Sequence, residues 1–236
     1  MGKLILVRHG KSLWNIENIF TGWTDIDIAP KGIEEAIIAG EIIRDHNITI
    51  DICFSSYLKR AIKTGSIILE TANMMQIDFI KSWKLNERNY GAWQGRNKDD
   101  VKKEVGDELF WKIRRGFSTS PPNLSIDDER HPKFDPKYAK ISIDELPRSE
   151  SLEQTKQRAV QYYYEAIVPE LVKGKNVLVA GHGNSIRALM GQIENISSAE
   201  IPKVEVKTGV LNIYEFDANM NLEKQYELKQ VSKLEI

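Results

Sequence analysis

The sequence predicts an α/β fold with a mostly parallel central sheet flanked by helices on both faces. Short apolar runs of strand length alternate with segments whose apolar residues recur every three or four positions, the order expected of parallel β-α-β units. Two of those runs end in a His-Gly pair, at His9-Gly10 and His182-Gly183, which sets polar chemistry at strand ends. The 236 residues, 41% of them hydrophobic, are enough to bury the core that such a sheet requires.

The elements follow in order. Residues 3 to 8 read as a buried strand. Pro30 opens a helix in which Ile33, Ala36, Ile37, Gly40 and Ile43 share a face. Ile50 to Ser55 is a second strand, and Leu58, Ala61, Ile62, Gly65, Ile68 and Leu69 mark the helix after it. Residues 77 to 85 are expected as a third strand, and the charged stretch 99 to 116 as a helix. Residues 117 to 150 hold five of the eight prolines and many Ser, Asp and Glu, the composition of an inserted loop or lid. A long helix runs from Leu152 through Leu171, with Gly174 as its stop before a strand over Asn176 to Ala180. A helix from about Ser185 to Glu194, a strand over 208 to 216 and an edge strand over 222 to 228 complete the pattern. The last residues, about 229 to 236, are expected as a mobile tail, and the whole of 1 to 236 as a single domain without repeats.

Charge narrows the partners. Lys and Arg total 33 against 34 Asp and Glu, a net charge of −1, so nothing global draws the chain to nucleic acid or to an anionic membrane, and any basic site must be local. The early run Leu4 to Val7 is too short for a secretory leader or a membrane span, and Leu6 stands where an N-myristoylation signal wants Ser or Thr. A single cysteine, Cys53, excludes an internal disulfide and fits a reducing compartment, so a cytoplasmic protein is expected.

The two His-Gly pairs carry the chemistry. Near neutrality an imidazole attacks phosphorus as a neutral nucleophile and leaves readily after transfer. Phosphoryl transfer asks the protein mainly for alignment and for positive charge around three equatorial oxygens, which arginine forks supply. Arg8 adjoins His9, and Arg60 opens the helix after the second strand, at the same rim of a parallel sheet. A metal is the rival reading of paired histidines, but a catalytic zinc takes three protein ligands and clustered arginines repel it, so no metal is expected. His46 and His131 read as structural, Cys53 as a small buried hydrophobe, and Tyr162, Tyr163 and Tyr164 as helix residues pointing different ways. Asp25 and Asp27 lack a third ligand at the spacing of a calcium loop.

Five segments carry a resemblance: residues 6 to 15 (LVRHGKSLWN), 20 to 23 (FTGW), 57 to 61 (YLKRA), 85 to 95 (LNERNYGAWQG) and 181 to 189 (GHGNSIRAL). In this order they resemble the histidine phosphatase superfamily and, more narrowly, its 2,3-bisphosphoglycerate-dependent phosphoglycerate mutases, over about residues 3 to 228. The resemblance implies a phosphoglycerate mutase-like fold. It implies His9 as the nucleophile that carries the phosphoryl group, with Arg8, Arg60 and His182 around it and Glu87 as general acid and base. Gly10, Lys11, Ser12, Asn15, Thr21, Gly22, Arg88, Asn89, Tyr90, Lys98, Arg114, Arg115, Gly183 and Asn184 would bind substrate together with them. The implied reaction interconverts 3-phosphoglycerate and 2-phosphoglycerate, the mutase step of glycolysis and gluconeogenesis. The enzyme would be primed by 2,3-bisphosphoglycerate and act on phosphorylated three-carbon acids as a homo-oligomer, a dimer or tetramer.

Lys98, Arg114 and Arg115 answer a separate demand, since a bisphosphorylated acid needs more cations than one phosphate site. The alternatives are a phosphatase with the same nucleophile, a relative that makes chiefly 2,3-bisphosphoglycerate, and a noncatalytic phosphate-binding module. Asn89, Trp93 and Arg96 depart from the family pattern, with modest effects on binding expected.

Overall fold

The computed structural model describes residues 1 to 229. Strand β1 (Leu4–Arg8) lies inside the sheet, and its side chains divide by parity between two cores. Leu4 and Leu6 face one, Ile5 and Val7 the other, and all four are fully buried. The single-turn helix α1 (Leu13–Ile16) follows, closed by a reciprocal cap between Ser12 and Asn15. Four residues are too few to show a helical period, so periodicity does not reveal it. Helix α2 (Pro30–Asp45) starts at proline, whose missing N–H costs nothing in a first turn.

Strand β2 (Ile52–Ser55), helix α3 (Lys59–Thr71) and strand β3 (Asp78–Lys81) come next. β3 is shorter than expected, because Ser82 caps a 3-10 turn over Trp83–Leu85 that ends the extended backbone. The charged stretch is two helices, α4 (Lys98–Val105) and α5 (Asp107–Arg115), parted at Gly106, whose φ of +80° no helix contains. The next long helix is likewise interrupted: α6 (Leu152–Tyr162) passes through a π turn at Tyr163–Ile167 into α7 (Val168–Val172). Pro169 has no N–H for the carbonyl four residues back, and the wider turn lies just before it. In that stretch Tyr163 is buried and Tyr164 exposed, as their spacing requires.

Strand β4 (Val177–Gly181), helix α8 (Gly183–Ile193), and strands β5 (Leu211–Phe216) and β6 (Leu222–Leu228) complete the chain. The sheet order is β3-β2-β4-β1-β5-β6. The first four strands are parallel, while β5 runs antiparallel to β1 and β6 antiparallel to β5. Helices α2 and α3 cover the face of Ile5, Val7, Cys53 and Leu178; α6, α7 and α8 cover the face of Leu6, Phe54 and Val179. Burial of Cys53 pushes its thiol pKa up, which leaves it an inert core group.

The proline-rich segment 117 to 150 carries three short 3-10 turns, Pro132–Phe134, Pro136–Tyr138 and Ile143–Glu145. It is anchored by buried Leu124, His131, Tyr138 and Leu146. Asn86 Nδ2 donates to Tyr138 Oη at 2.8 Å, and Tyr138 stacks on Trp23 with ring centroids 5.2 Å apart. Beyond Lys229 the expected tail lies outside the described residues. Among the described residues, no helix is long and apolar enough to cross a membrane.

Candidate active site

Strand adjacency assembles the site. β1 and β4 are parallel neighbours with Arg8 opposite Gly181, so His9 and His182, each the next residue, leave the sheet side by side. Their ring centroids are 5.0 Å apart at an interplanar angle of 61°. β2 flanks β4 on its other side with Ser55 opposite Ala180, and α3, which follows it, opens with Lys59 and Arg60 at the same rim.

His9 Nδ1 lies 2.7 Å from the Gly10 carbonyl. A carbonyl only accepts, so Nδ1 carries the proton and Nε2 the free lone pair. Gly10 is dictated by close approach: a Cβ there would meet the Gly32 carbonyl in the first turn of α2 at 2.1 Å. Burial first, then Arg60 and Arg8, hold the pKa of His9 well below the usual imidazole value, so the ring is neutral and nucleophilic at pH 7.

His182 is neutral for the same reasons, burial first and then Arg60 and His9. Its Nε2 is 2.8 Å from Ser56 Oγ, and that oxygen already accepts the Leu58 N–H at 3.0 Å. A hydroxyl oxygen has two lone pairs, so Ser56 can still either donate to Nε2 or accept its proton, while Nδ1 is a buried atom without a partner among the described residues.

Glu87 is asymmetric. Its Oε1 accepts from the Arg88 N–H at 2.7 Å, the Asn184 N–H at 3.1 Å and Asn184 Nδ2 at 2.9 Å, while Oε2 accepts from no side chain or backbone group among the described residues. Its carbonyl is fixed by Trp23 Nε1 at 2.6 Å and Arg158 Nη2 at 2.9 Å.

Cations surround these groups. Arg60 donates to the carbonyls of Thr24 (3.0 Å) and Gly22 (2.7 Å), and burial lowers its pKa to about 10, which leaves it charged. Arg8 is tethered to the Val206 carbonyl at 2.8 Å. Lys98 opens α4, and burial followed by Arg114 and Arg8 lowers its pKa to about 8. Phe20, Trp93, Val101, Phe110 and Ile113 form a satellite core that docks α4 and α5 and so presents Lys98, Arg114 and Arg115 to the site. Among the described residues no group of three or more His, Cys, Asp or Glu side chains is placed to hold a metal ion.

A model of the histidine phosphatase superfamily (branch 1) matches residues 4–141 and 123–228. The chain belongs to that superfamily. It is 51% identical over 228 residues to a protein of Nautilia profundicola named 2,3-bisphosphoglycerate-dependent phosphoglycerate mutase, covering 97% of this chain and all of that one. Among solved structures, Bacillus stearothermophilus YhfR has a TM-score of 0.71 at 20% identity over 94% of this chain and 95% of its own. An Entamoeba histolytica phosphoserine phosphatase solved with 3-phosphoglyceric acid has a TM-score of 0.68 at 20% identity over 98% of each chain. Likeness at that identity speaks for the fold alone.

In this member of the superfamily the converging groups line a cavity of about 170 Å³. That volume is below the roughly 300–1,000 Å³ of drug-sized sites, so it suits a small solute. Arg8, His9, Arg60 and Glu87 line it, joined by Gly183 and Asn184 from α8. Asn15, Thr21, Gly22 and Tyr90 line it as well, as do Lys98, Arg114 and Arg115. His182 is packed against His9, fully buried.

Five residues expected to bind substrate lie outside the cavity wall. Gly10 is beneath His9, the exposed Lys11 uses its N–H on Glu35 (2.8 Å), and Ser12 caps α1. Arg88 is buried with its guanidinium on the carbonyls of Glu150 (2.7 Å) and Thr119 (2.9 Å). Asn89 is buried too, its amide on the carbonyl of Pro147 at 2.9 Å and its Oδ1 on the Gly91 N–H at 2.8 Å. The wall also contains Ile19, Phe20 and Arg187, which sequence reasoning missed. Arg187 had a signal, since it follows Asn184 by three residues and so shares a helix face with it. Asp25 and Asp27 bond to Lys137 and Lys63 respectively.

Proposed function

We propose that this chain is a phosphoglycerate mutase that interconverts 3-phosphoglycerate and 2-phosphoglycerate through phosphohistidine on His9. The observation that carries this reading is the 51% identity, over nearly the whole chain, to a relative named for that activity. The cation set supports it: Arg8 and Arg60 flank the nucleophile, and Lys98, Arg114 and Arg115 supply the further charge that a second phosphate or a carboxylate needs.

In the first transfer the hydroxyl oxygen of 3-phosphoglycerate attacks the phosphorus held on His9, the P–N bond breaks, and the hydroxyl proton passes to Glu87 Oε2. The imidazole is left neutral, as its buried setting favours. The acid turns in the cavity, the Nε2 lone pair attacks its other phosphorus, the P–O bond breaks, and Glu87 returns the proton to the departing oxygen. His182, packed against His9, and the two arginines stabilise charge on the equatorial oxygens. Of the remaining implied contacts, Asn15, Thr21, Gly22 and Tyr90 shape the wall nearest the substrate's carbon chain, and Gly183 keeps the approach to Arg8 open.

The residues present fit 2,3-bisphosphoglycerate as the priming group. Thr21 Oγ1, Arg8 Nε and Arg60 Nε are buried polar atoms of the wall with no partner among the described residues, suited to an anion's oxygens. When bound, that group supplies the initial phosphoryl to His9. Lys98, Arg114 and Arg115 would hold its distal charges. The chain acts in the cytoplasm as a homo-oligomer without nucleic-acid or membrane partners, which light scattering and fractionation test.

The deciding experiment is incubation with 2,3-bisphosphoglycerate followed by intact mass measurement and ³¹P NMR of 3-phosphoglycerate turnover. An acid-labile gain of one phosphoryl group, absent in His9→Ala, with 2-phosphoglycerate appearing, supports the reading. Release of inorganic phosphate as the main product would assign a phosphatase instead.

A further inference from the structure

We propose that Arg187 is a positioning residue: by orienting the Asn184 side chain it makes Glu87 present Oε2, rather than Oε1, to the proton it carries. The inference rests on Glu87 being the proton carrier of the proposed reaction.

The argument is one of donors and acceptors. A guanidinium has only donors, so the end of the Asn184 amide that meets Arg187 Nη1 at 2.7 Å is its carbonyl Oδ1. The amide's NH₂ must then point the other way, where Nδ2 lies 2.9 Å from Glu87 Oε1 and 3.3 Å from Tyr90 Oη. With the N–H groups of Asn184 and Arg88 also on Oε1, that oxygen accepts three hydrogen bonds. Its lone pairs are occupied, and the oxygen left to handle a proton is Oε2. Were the amide to flip, a carbonyl would face the carboxylate and Oε1 would keep only its two backbone donors, which weakens the preference.

Arg187 is itself held. Its Nε donates to the Val204 carbonyl at 2.8 Å, and it sits one helical step beyond Asn184 in the first turns of α8. Burial lowers its pKa to about 10, so it remains a cation and a full donor near neutrality. The role is separate from that of Arg8 and Arg60, which flank the phosphoryl site.

The test compares wild type, Arg187→Met and Arg187→Lys on two phosphomonoesters. In mutase turnover the alkoxide leaving the bisphosphate must be protonated as it departs; with p-nitrophenyl phosphate the phenolate leaves without a proton, so its first-turnover burst reports transfer to His9 without that demand, ahead of the water attack that needs a base. General acid–base help is worth on the order of 10²–10⁴-fold. Misdirecting it should therefore lower kcat for mutase turnover by roughly 10- to 100-fold in Arg187→Met, a loss about tenfold or more greater than the loss in the aryl phosphate burst rate of the same variant. Arg187→Lys, which keeps one donor for Oδ1, should recover much of the loss. A cycle with Asn184→Leu should show no additional loss when both side chains are replaced.

Equal losses on both esters, a rise in KM at unchanged kcat, or additive effects in the cycle would overturn the proposal. If wild type itself fails to interconvert the phosphoglycerates, the mutase reading falls. The ratio of 3-phosphoglycerate hydrolysis to aryl phosphate hydrolysis then decides the role of Arg187 on its own.

Discussion

Arg158 and Glu150 form a buried two-point ion pair, Nε to Oε1 at 2.6 Å and Nη2 to Oε2 at 2.7 Å. The pair grips the segment that carries Glu87. Arg158 Nη1 donates to the carbonyls of Lys84 (2.8 Å) and Asn86 (2.9 Å), and its Nη2 to that of Glu87 (2.9 Å). Glu150 Oε2 accepts the Asn89 N–H at 2.8 Å. Removing one partner strands the other, so Arg158→Met should cost about 3–5 kcal/mol of folding stability, against a smaller loss in the double variant Glu150→Gln, Arg158→Met. Denaturant melts of the three proteins check this; equal losses in single and double variants would mean the pair is not what holds the segment.

Loss of a charge donor to the transferring group should show in rate rather than in fold. Arg60→Ala is expected to lower kcat/KM by about 10²–10³-fold, the scale for one transition-state donor. His9→Ala should abolish the phosphoenzyme altogether. Mutase turnover that survives in His9→Ala would remove the mechanism.

Lys98 makes substrate binding sensitive to pH. Its pKa of about 8 means that the cation is lost as pH rises through that value, so KM should climb above pH 8 and stay low below it. An anion beside the ammonium raises its pKa, so binding near pH 8 to 9 should take up protons, measurable by calorimetry in buffers of different ionisation enthalpy. Lys98→Met should start from a higher KM and lose both effects. A flat KM from pH 7 to 9.5 in wild type would contradict the assignment.

Ser56 Oγ is the hydrogen-bond partner of His182 Nε2, and its removal tests whether it holds the ring in one tautomer. With the hydroxyl donating to Nε2 the ring proton sits on Nδ1; in Ser56→Ala it is free to move to Nε2, which would leave Nδ1 an acceptor. Kcat should fall on the order of 10- to 100-fold, and ¹⁵N shifts of the ring should report the tautomer change. Unaltered shifts in the variant would dismiss the idea.

The parts legible in sequence were those governed by local pattern. Runs such as Leu4–Val7 and Val177–Ala180 announced strands because every residue in them is buried. The two His-Gly pairs stood out because chemistry and strand end coincide in the chain. Elements below the length of a period escaped, as with α1, and breaks set by one residue, Gly106 and the turn before Pro169, were absorbed into longer helices. Arg88 and Asn89 sit in a motif that reads as substrate-binding, yet their side chains turn inward to Glu150, Thr119 and Pro147. Motif membership says nothing about which way a side chain faces.

By itself the sequence determined the alternation of strand and helix, the family, and which residues stand as candidates for nucleophile and arginine partners, because hydrophobic periodicity and contiguous motifs are local properties. Only the tertiary structure decided that β1 and β4 are neighbours, which brings His9 to His182, and that Arg187, Asn184 and Glu87 form one chain of hydrogen bonds. Those relations span up to 173 positions (182 − 9) and depend on strand order, register and the donor–acceptor fit of groups that meet only when the sheet has formed.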